Sequence, residues 1–233
     1  MPIAIIAALP REIAALARGT KADAGWLKLG VWLYRVEGAV VVAAGMGAER
    51  AAVAVEAALA TCEVRMLIST GLAGGCAPGV VTGSVVEAGV VVDAKTGERF
   101  RAAGEAVTMA AVILATTETI ASVREKARLA ERYGAMLVDM EAATVARLAR
   151  EKGLEFRAIK AVSDAYDFEL SSLGKFAGER GSFRTGAFAL HTALRPWLWA
   201  KAIELGQGSA KALKGLDEVL RDMVAGSSAS LKG

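Results

Sequence analysis

The sequence predicts an α/β domain, with a mostly parallel or mixed sheet and helices on both faces. Short continuous apolar runs recur along the chain, as strands buried on both faces require. Ala-rich or amphipathic stretches of helix length separate them. The stretch from Tyr133 to Asp167 condenses the pattern. An apolar run, Ala135 to Val138, leads through Asp139-Met140-Glu141 into a helix stopped by Gly153, and a second run spans Phe156 to Val162. Read as a parallel βαβ unit, it puts Asp139, Glu141 and Asp164 at strand ends, where open α/β sheets place ligands. The plainer reading of Asp139 and Glu141 is that they only start a helix, since acids are favoured in a first turn.

Ile3 to Leu9 reads as a central buried strand, and Pro10-Arg11-Glu12 opens a helix through Arg18, with Pro where helix starts tolerate it. Trp26 to Val36 and Ala39 to Ala44 read as a hairpin around Glu37-Gly38. Gly45-Met46-Gly47 leads into an Ala-rich helix from Ala48 to Ala60, whose small surface suits close packing on the sheet. Met66 to Ser69 is a short strand, followed by the glycine loop Thr70 to Gly75. Ser84 to Val92 reads as one long strand, Asp93 to Glu105 as a surface hairpin or loop, and Val107 to Ala115 as a further strand. A polar connector, Thr116 to Ser122, enters the helix Val123 to Arg132. Residues 1–190 form the main domain, 191–225 a helical extension of it, and 226–233 a disordered tail.

Composition excludes several functions. Hydrophobic residues make up 54% of the 233, enough for a sizeable core. Net charge is +3, from 28 basic and 25 acidic residues, without the basic cluster a nucleic-acid binder carries. Cys62 and Cys76 form neither a disulfide framework nor a metal-spaced set, and the single histidine, His191, reads as a surface or cap residue. No metal site is expected. The apolar start lacks a basic leader and no run reaches the roughly 20 apolar residues of a membrane span, so a cytoplasmic protein is expected.

The glycine clusters are ambiguous taken singly. Gly45-Met46-Gly47 is a truncated dinucleotide fingerprint with Ala51 at the third glycine position, and Thr70 to Gly75 lacks the Lys-Ser/Thr pair of a P-loop. Either is also what a tight turn looks like.

Four features in fixed order carry more weight together: Glu12 after the first strand, STGLAGG (Ser69–Gly75), VDMEAA (Val138–Ala143) and AVSDAYD (Ala161–Asp167). The set resembles the purine nucleoside phosphorylase and methylthioadenosine/S-adenosylhomocysteine nucleosidase superfamily over about residues 3–170. The resemblance implies a three-layer α/β/α fold with a twisted mixed central sheet, and cleavage of the N-glycosidic bond of a purine nucleoside. By that resemblance Asp164 protonates N7 of the leaving purine, with Ser163 orienting it. Glu141 and Met140 contact the ribose, and Glu12 activates water. Gly71, Ala73 and Gly74 line the nucleophile side of the sugar, and Thr119 and Ile120 lie on the connector that closes over the base. No cofactor is implied beyond phosphate as an alternative co-substrate, for which Arg11 and Arg50 are the best candidates.

The chain also departs from the pattern. Leu72 stands where nucleosidases often carry serine, Lys160 replaces a frequent arginine, and Thr119 replaces a stacking aromatic. Beyond Asp167 come a flexible stretch, Leu173 to Gly186, and a tail in which Trp197 and Trp199 sit beside the basic residues Arg195 and Lys201. Such tryptophans either anchor at a membrane surface or pack on protein. The tail, with Ser209 to Ala212, and the Asp93–Glu98 loop resemble the hopanoid-associated phosphorylase branch, associated with removing adenine from adenosylhopane, a bacterial triterpenoid lipid. That finer resemblance implies a lipid-linked adenosine as substrate, peripheral membrane contact and, with the superfamily, a homodimer. An ordinary nucleosidase on a small soluble nucleoside, and an inactive nucleoside-binding module, are the competing readings.

Overall fold

The computed structural model describes residues 1–103, 112–169 and 199–232. Its centre is an eleven-stranded mixed sheet. The strands are β1 (Ile3–Ala7), β2 (Trp32–Val36), β3 (Ala39–Ala43), β4 (Met66–Ser69), β5 (Leu72–Gly75) and β6 (Val85–Ala88). They continue as β7 (Val90–Asp93), β8 (Arg99–Arg101), β9 (Ile113–Thr116), β10 (Leu137–Asp139) and β11 (Glu155–Asp164). The helices are α1 (Ala24–Lys28), α2 (Ala48–Thr61), α3 (Val123–Tyr133), α4 (Ala142–Glu151) and α5 (Trp199–Lys232). Spatial order is β2-β3-β1-β4-β11-β5-β10-β9-β7-β8, with β6 paired to β11.

The three layers follow from alternation along the strands. On β1, Ala4 and Ile6 join a core with Ala54 and Ala58 of α2 and Val145 and Ala149 of α4. Ile3, Ile5 and Ala7 face the other way, into a core with Ala212, Leu216 and Leu220 of α5. On that second side α3 sets Leu129 against Ala115 and Val138. The fold class read from the sequence is the one observed.

Several elements differ from expectation. The anticipated parallel βαβ unit does not form. β5 lies between β10 and β11, antiparallel to the first and parallel to the second. The glycine "loop" is therefore largely strand β5, and only Gly71 before it takes a left-handed backbone, φ +111°. The helix expected from Pro10 to Arg18 is a single 3-10 turn, Pro10–Glu12, because the Glu12 carboxylate turns back onto the amides of Ala8 and Leu9. Trp26 is helical rather than extended, since Asp23 caps α1 by accepting from the Gly25 and Trp26 amides. The long strand from Ser84 to Val92 breaks at Gly89: β6 pairs with β11 and β7 with β8 and β9. Of the expected strand from Val107, the part to residue 111 lies outside the described residues. So do the stretch Leu173–Gly186, His191 and Trp197. The tail from Gly226 continues helix α5 to Lys232 instead of being irregular.

Candidate active site

β11 is the longest strand, pairing with β4 in its first half and β5 in its second, and it ends in Ser163-Asp164. β10 approaches from the opposite direction, so that Val138 and Asp164 both stand beside Gly74. Here a cleft of about 430 Å³ opens, walled by strand ends, the Thr117–Ala121 connector, α3 and α5. Glu12, Met140, Glu141, Ser163, Asp164, Ala73, Gly74, Thr119 and Ile120 all line it. Gly71 does not line it but lies against Glu12. Of the two arginine candidates, Arg11 reaches the cleft, whereas Arg50 donates to the carbonyl oxygens of Ala44 and Gly30.

Each carboxyl group is held differently. Glu12 accepts from the Ala8, Leu9 and Leu72 amides at 3.0, 2.9 and 3.1 Å. Burial nevertheless pushes its carboxyl above the ordinary value, opposed by these amides and by Lys160 and Arg11. Leu72, which replaces the family's frequent serine, contributes through its backbone.

Asp139 and Glu141 divide the two roles considered for them. Asp139 starts the helix: it accepts from Ala142 N at 2.9 Å and from Thr116 Oγ1 at 2.7 Å. Its other partner is Lys160 Nζ at 2.8 Å. Both side chains of that pair are fully buried. Lys160 also donates to Ser69 Oγ and Thr70 O, each at 3.0 Å. A buried ammonium requires such partners on every N–H. Glu141 instead makes no cap bond within α4; its Oε1 accepts from Gly47 N at 2.8 Å across the cleft wall. Burial, followed by the neighbouring Asp139 charge, pushes Glu141 up to about 7 against the pull of Lys160. It therefore titrates near neutrality, where the sequence reading expects it ionised.

Asp164 is 3% exposed. It accepts from Ser163 Oγ at 2.5 Å and from Lys126 Nζ. Burial pushes its carboxyl up, and the Lys126 ammonium and the hydrogen bonds pull it back. Sequence reasoning missed Lys126, yet its signal was there: Val123, Lys126, Ala130 and Tyr133 share the helical spacing of a buried face. Also missed were Met46, Thr117 and the α5 wall of Gly206, Ser209, Ala210 and Leu213. Among the described residues, no group of three His, Cys, Asp or Glu could hold a metal ion, and no helix is long and apolar enough to cross a membrane.

A mixed sheet between two helical layers, with buried carboxyl groups gathered over a glycine-bearing strand, is the nucleoside phosphorylase and nucleosidase fold. The chain belongs to the phosphorylase superfamily, whose family profile matches residues 2–106 and 90–187. Among solved structures it resembles futalosine hydrolase of Helicobacter pylori, with TM-score 0.68 and 14% identity over 97% of each chain. It also resembles the 5′-methylthioadenosine/S-adenosylhomocysteine nucleosidase of H. pylori, with TM-score 0.64 and 14% identity over 95% of this chain and 98% of that one. For S-adenosylhomocysteine nucleosidase of Streptococcus pyogenes the TM-score is 0.66, at 20% identity over 94% of each chain. No curated protein matches it in sequence.

Proposed function

We propose that the protein cleaves the N-glycosidic bond of an adenine nucleoside carrying a large apolar 5′ substituent, with water as nucleophile. The observation that carries this reading is the convergence on one cleft of three differently held buried carboxyl groups, Glu12, Glu141 and Asp164. Departure of the purine leaves an oxocarbenium-like sugar and negative charge on the base. Asp164, whose carboxyl burial pushes above its ordinary value, gives its proton to N7 as the C1′–N9 electron pair passes to the purine. Such a general acid contributes about 10²–10⁴-fold. Glu141, when ionised, accepts charge-assisted hydrogen bonds from the ribose hydroxyls. Water adds to C1′ and gives its proton to Glu12, whose raised basicity suits a general base.

Water is preferred over phosphate because Glu12 is fixed at the cleft by three amides, while Arg50 is committed elsewhere and leaves Arg11 as the one arginine at the cleft among the described residues. The 5′ substituent is placed along α5, where Gly206, Ser209 and Ala210 leave room beside Leu213. The same reading takes the substrate as lipid-linked, such as adenosylhopane, and the enzyme as a cytoplasmic homodimer that touches membrane through Trp197 and Trp199. A second reading, a methylthioadenosine or S-adenosylhomocysteine nucleosidase, is favoured by the structural likeness to such enzymes.

The test is adenine release from a panel of 5′-substituted adenosines, with and without phosphate, in mild detergent. Release confined to large apolar substituents supports the lipid reading, and phosphate dependence overturns the choice of water. Release from methylthioadenosine alone supports the second reading. No release from any substrate leaves a binding module.

A further inference from the structure

Lys126 is a buried cation at the cleft that the mechanism above leaves unused. It lies one turn into α3, an otherwise polar helix, and is 1% exposed. Its ammonium group meets three acceptors: Asp164 Oδ2, Ala165 O at 2.7 Å and Phe168 O at 3.2 Å. Three acceptors satisfy all three N–H bonds, so the group is fixed in direction as well as in charge. The fit is tight around it. A Cβ on Gly74 would lie 3.0 Å from Asp164 Oδ2 and 3.2 Å from Lys126 Cε.

We infer that Lys126 is a positioning residue for the general acid: it aims the Asp164 carboxyl at the leaving purine and stabilises the carboxylate that proton donation leaves behind. The inference rests on the glycosidic-cleavage reading and adds to it. In the proton-bearing form that the proposed acid role requires, the contact of Asp164 with the ammonium is modest. As the C1′–N9 bond breaks and N7 takes the proton, a full negative charge forms beside a cation already in place. That interaction is stronger in the transition state than in the ground state, which is what accelerates a reaction. No reorganisation is needed, because the carbonyl oxygens of Ala165 and Phe168 already hold the ammonium.

Among the described residues no other charged side chain competes at this spot. From β5 and β10 the residues beside Asp164 are Gly74 and Val138, and Ser163 is uncharged. The Cys76 thiol, after β5, feels both charges but is pushed up to about 12, chiefly by burial, and stays neutral. Glu125, next to Lys126 on α3, faces outward to Arg128 at 2.7 Å.

The experiment compares Lys126→Met, Lys126→Arg, Asp164→Asn and the Met/Asn double variant on whichever adenosine the unaltered protein cleaves. Asp164 must be protonated to act, so activity falls as pH rises through its pKa. Removing the ammonium raises that pKa, and the alkaline limb of kcat/KM moves up by roughly 1–3 pH units. Turnover at the plateau falls by about tenfold or more, because the acid is weaker, while KM changes little. Lys126→Arg restores the limb and most of the turnover. In the Asp164→Asn background, Lys126→Met causes no further loss. Lys126→Gln, which can still donate to the two carbonyl groups, repeats the test should the Met variant fail to fold. An unmoved alkaline limb, or an additional loss in the Asn background, overturns the role of Lys126 while leaving the cleavage reading intact. No purine release by the unaltered protein overturns both.

Discussion

Glu12 and Gly71 occupy each other's space. A Cβ built on Gly71 would lie 2.7 Å from Glu12 Oε2 and 2.9 Å from its carboxyl carbon. The absent side chain at Gly71 is what lets the carboxylate reach the Leu72 amide at 3.1 Å.

Gly71→Ala therefore displaces Glu12 and strains a backbone at φ +111°. The strain is of order 1–3 kcal/mol. Turnover is expected to fall by about tenfold or more, since small misplacements of a reacting group cost up to ~10²-fold, with KM nearly unchanged. Wild-type turnover in this variant would remove Glu12 from the chemistry.

Asp164→Asn keeps the shape of the side chain and removes the transferable proton. The expected loss in kcat is about 10²–10⁴-fold, with nucleoside binding retained by calorimetry. Near-normal turnover would show that another group protonates the base.

Glu141 makes recognition depend on pH. With its carboxyl pushed up to about 7, kcat/KM should rise as pH increases through neutrality, because in the proposed role only the ionised form grips the ribose hydroxyls. Glu141→Gln should lose that acid limb and about 10- to 100-fold in kcat/KM, the range for hydrogen bonds to charged groups. A limb that persists in the Gln variant would belong to another residue.

Stability follows the same group with a definite sign. The folded value, about 7, lies above the ordinary 4.5, so between them the folded protein keeps a proton that the unfolded chain has released. The contribution is full below about 4.5 and is lost as pH rises to about 7. Thermal melts of Glu141→Gln should therefore overtake the unaltered protein above neutral pH, by roughly 2–4 °C per kcal/mol for a chain of this size.

Lys160→Met tests the other buried cation. It strands Asp139 without its 2.8 Å partner and removes a pull on Glu141. Breaking a buried pair this way costs about 3–5 kcal/mol, read as a lower urea midpoint. An unchanged midpoint would mean that the pair adds nothing to stability.

What the sequence disclosed follows from how local each signal is. Apolar runs such as Ile3–Ala7 and Met66–Ser69 had to be strands, and the helix after Glu141 was written in its apolar spacing. Glu12, Glu141 and Asp164 were legible through their fixed order along the chain. Strand direction was not: β10 and β11 are separated by β5, and nothing local to residues 135–164 reveals an intruder from residue 72. Tertiary demand also shortened the helix at Pro10, where a buried carboxylate claims amides that a longer helix would have left behind. Lys126 escaped because a lysine at an apolar position reads as solvated until its three acceptors, 38 to 42 residues away, are known.

β5 has a further meaning. Gly71, at its entry, abuts Glu12, and Gly74 abuts Asp164 and Lys126. The strand thus spaces Glu12 from Asp164 like a ruler three residues long, roughly 10 Å at strand rise, and under the proposed mechanism it separates the water-activating end of the cleft from the proton-donating end. A deletion there would spoil the reaction for every nucleoside alike. The cleft wall to which the proposal assigns the 5′ substituent comes from α5, more than a hundred residues downstream of that ruler. Under that proposal bond cleavage and choice of substituent are written in separate parts of the chain, and an altered α5 should change the diet of the enzyme without recalibrating its chemistry.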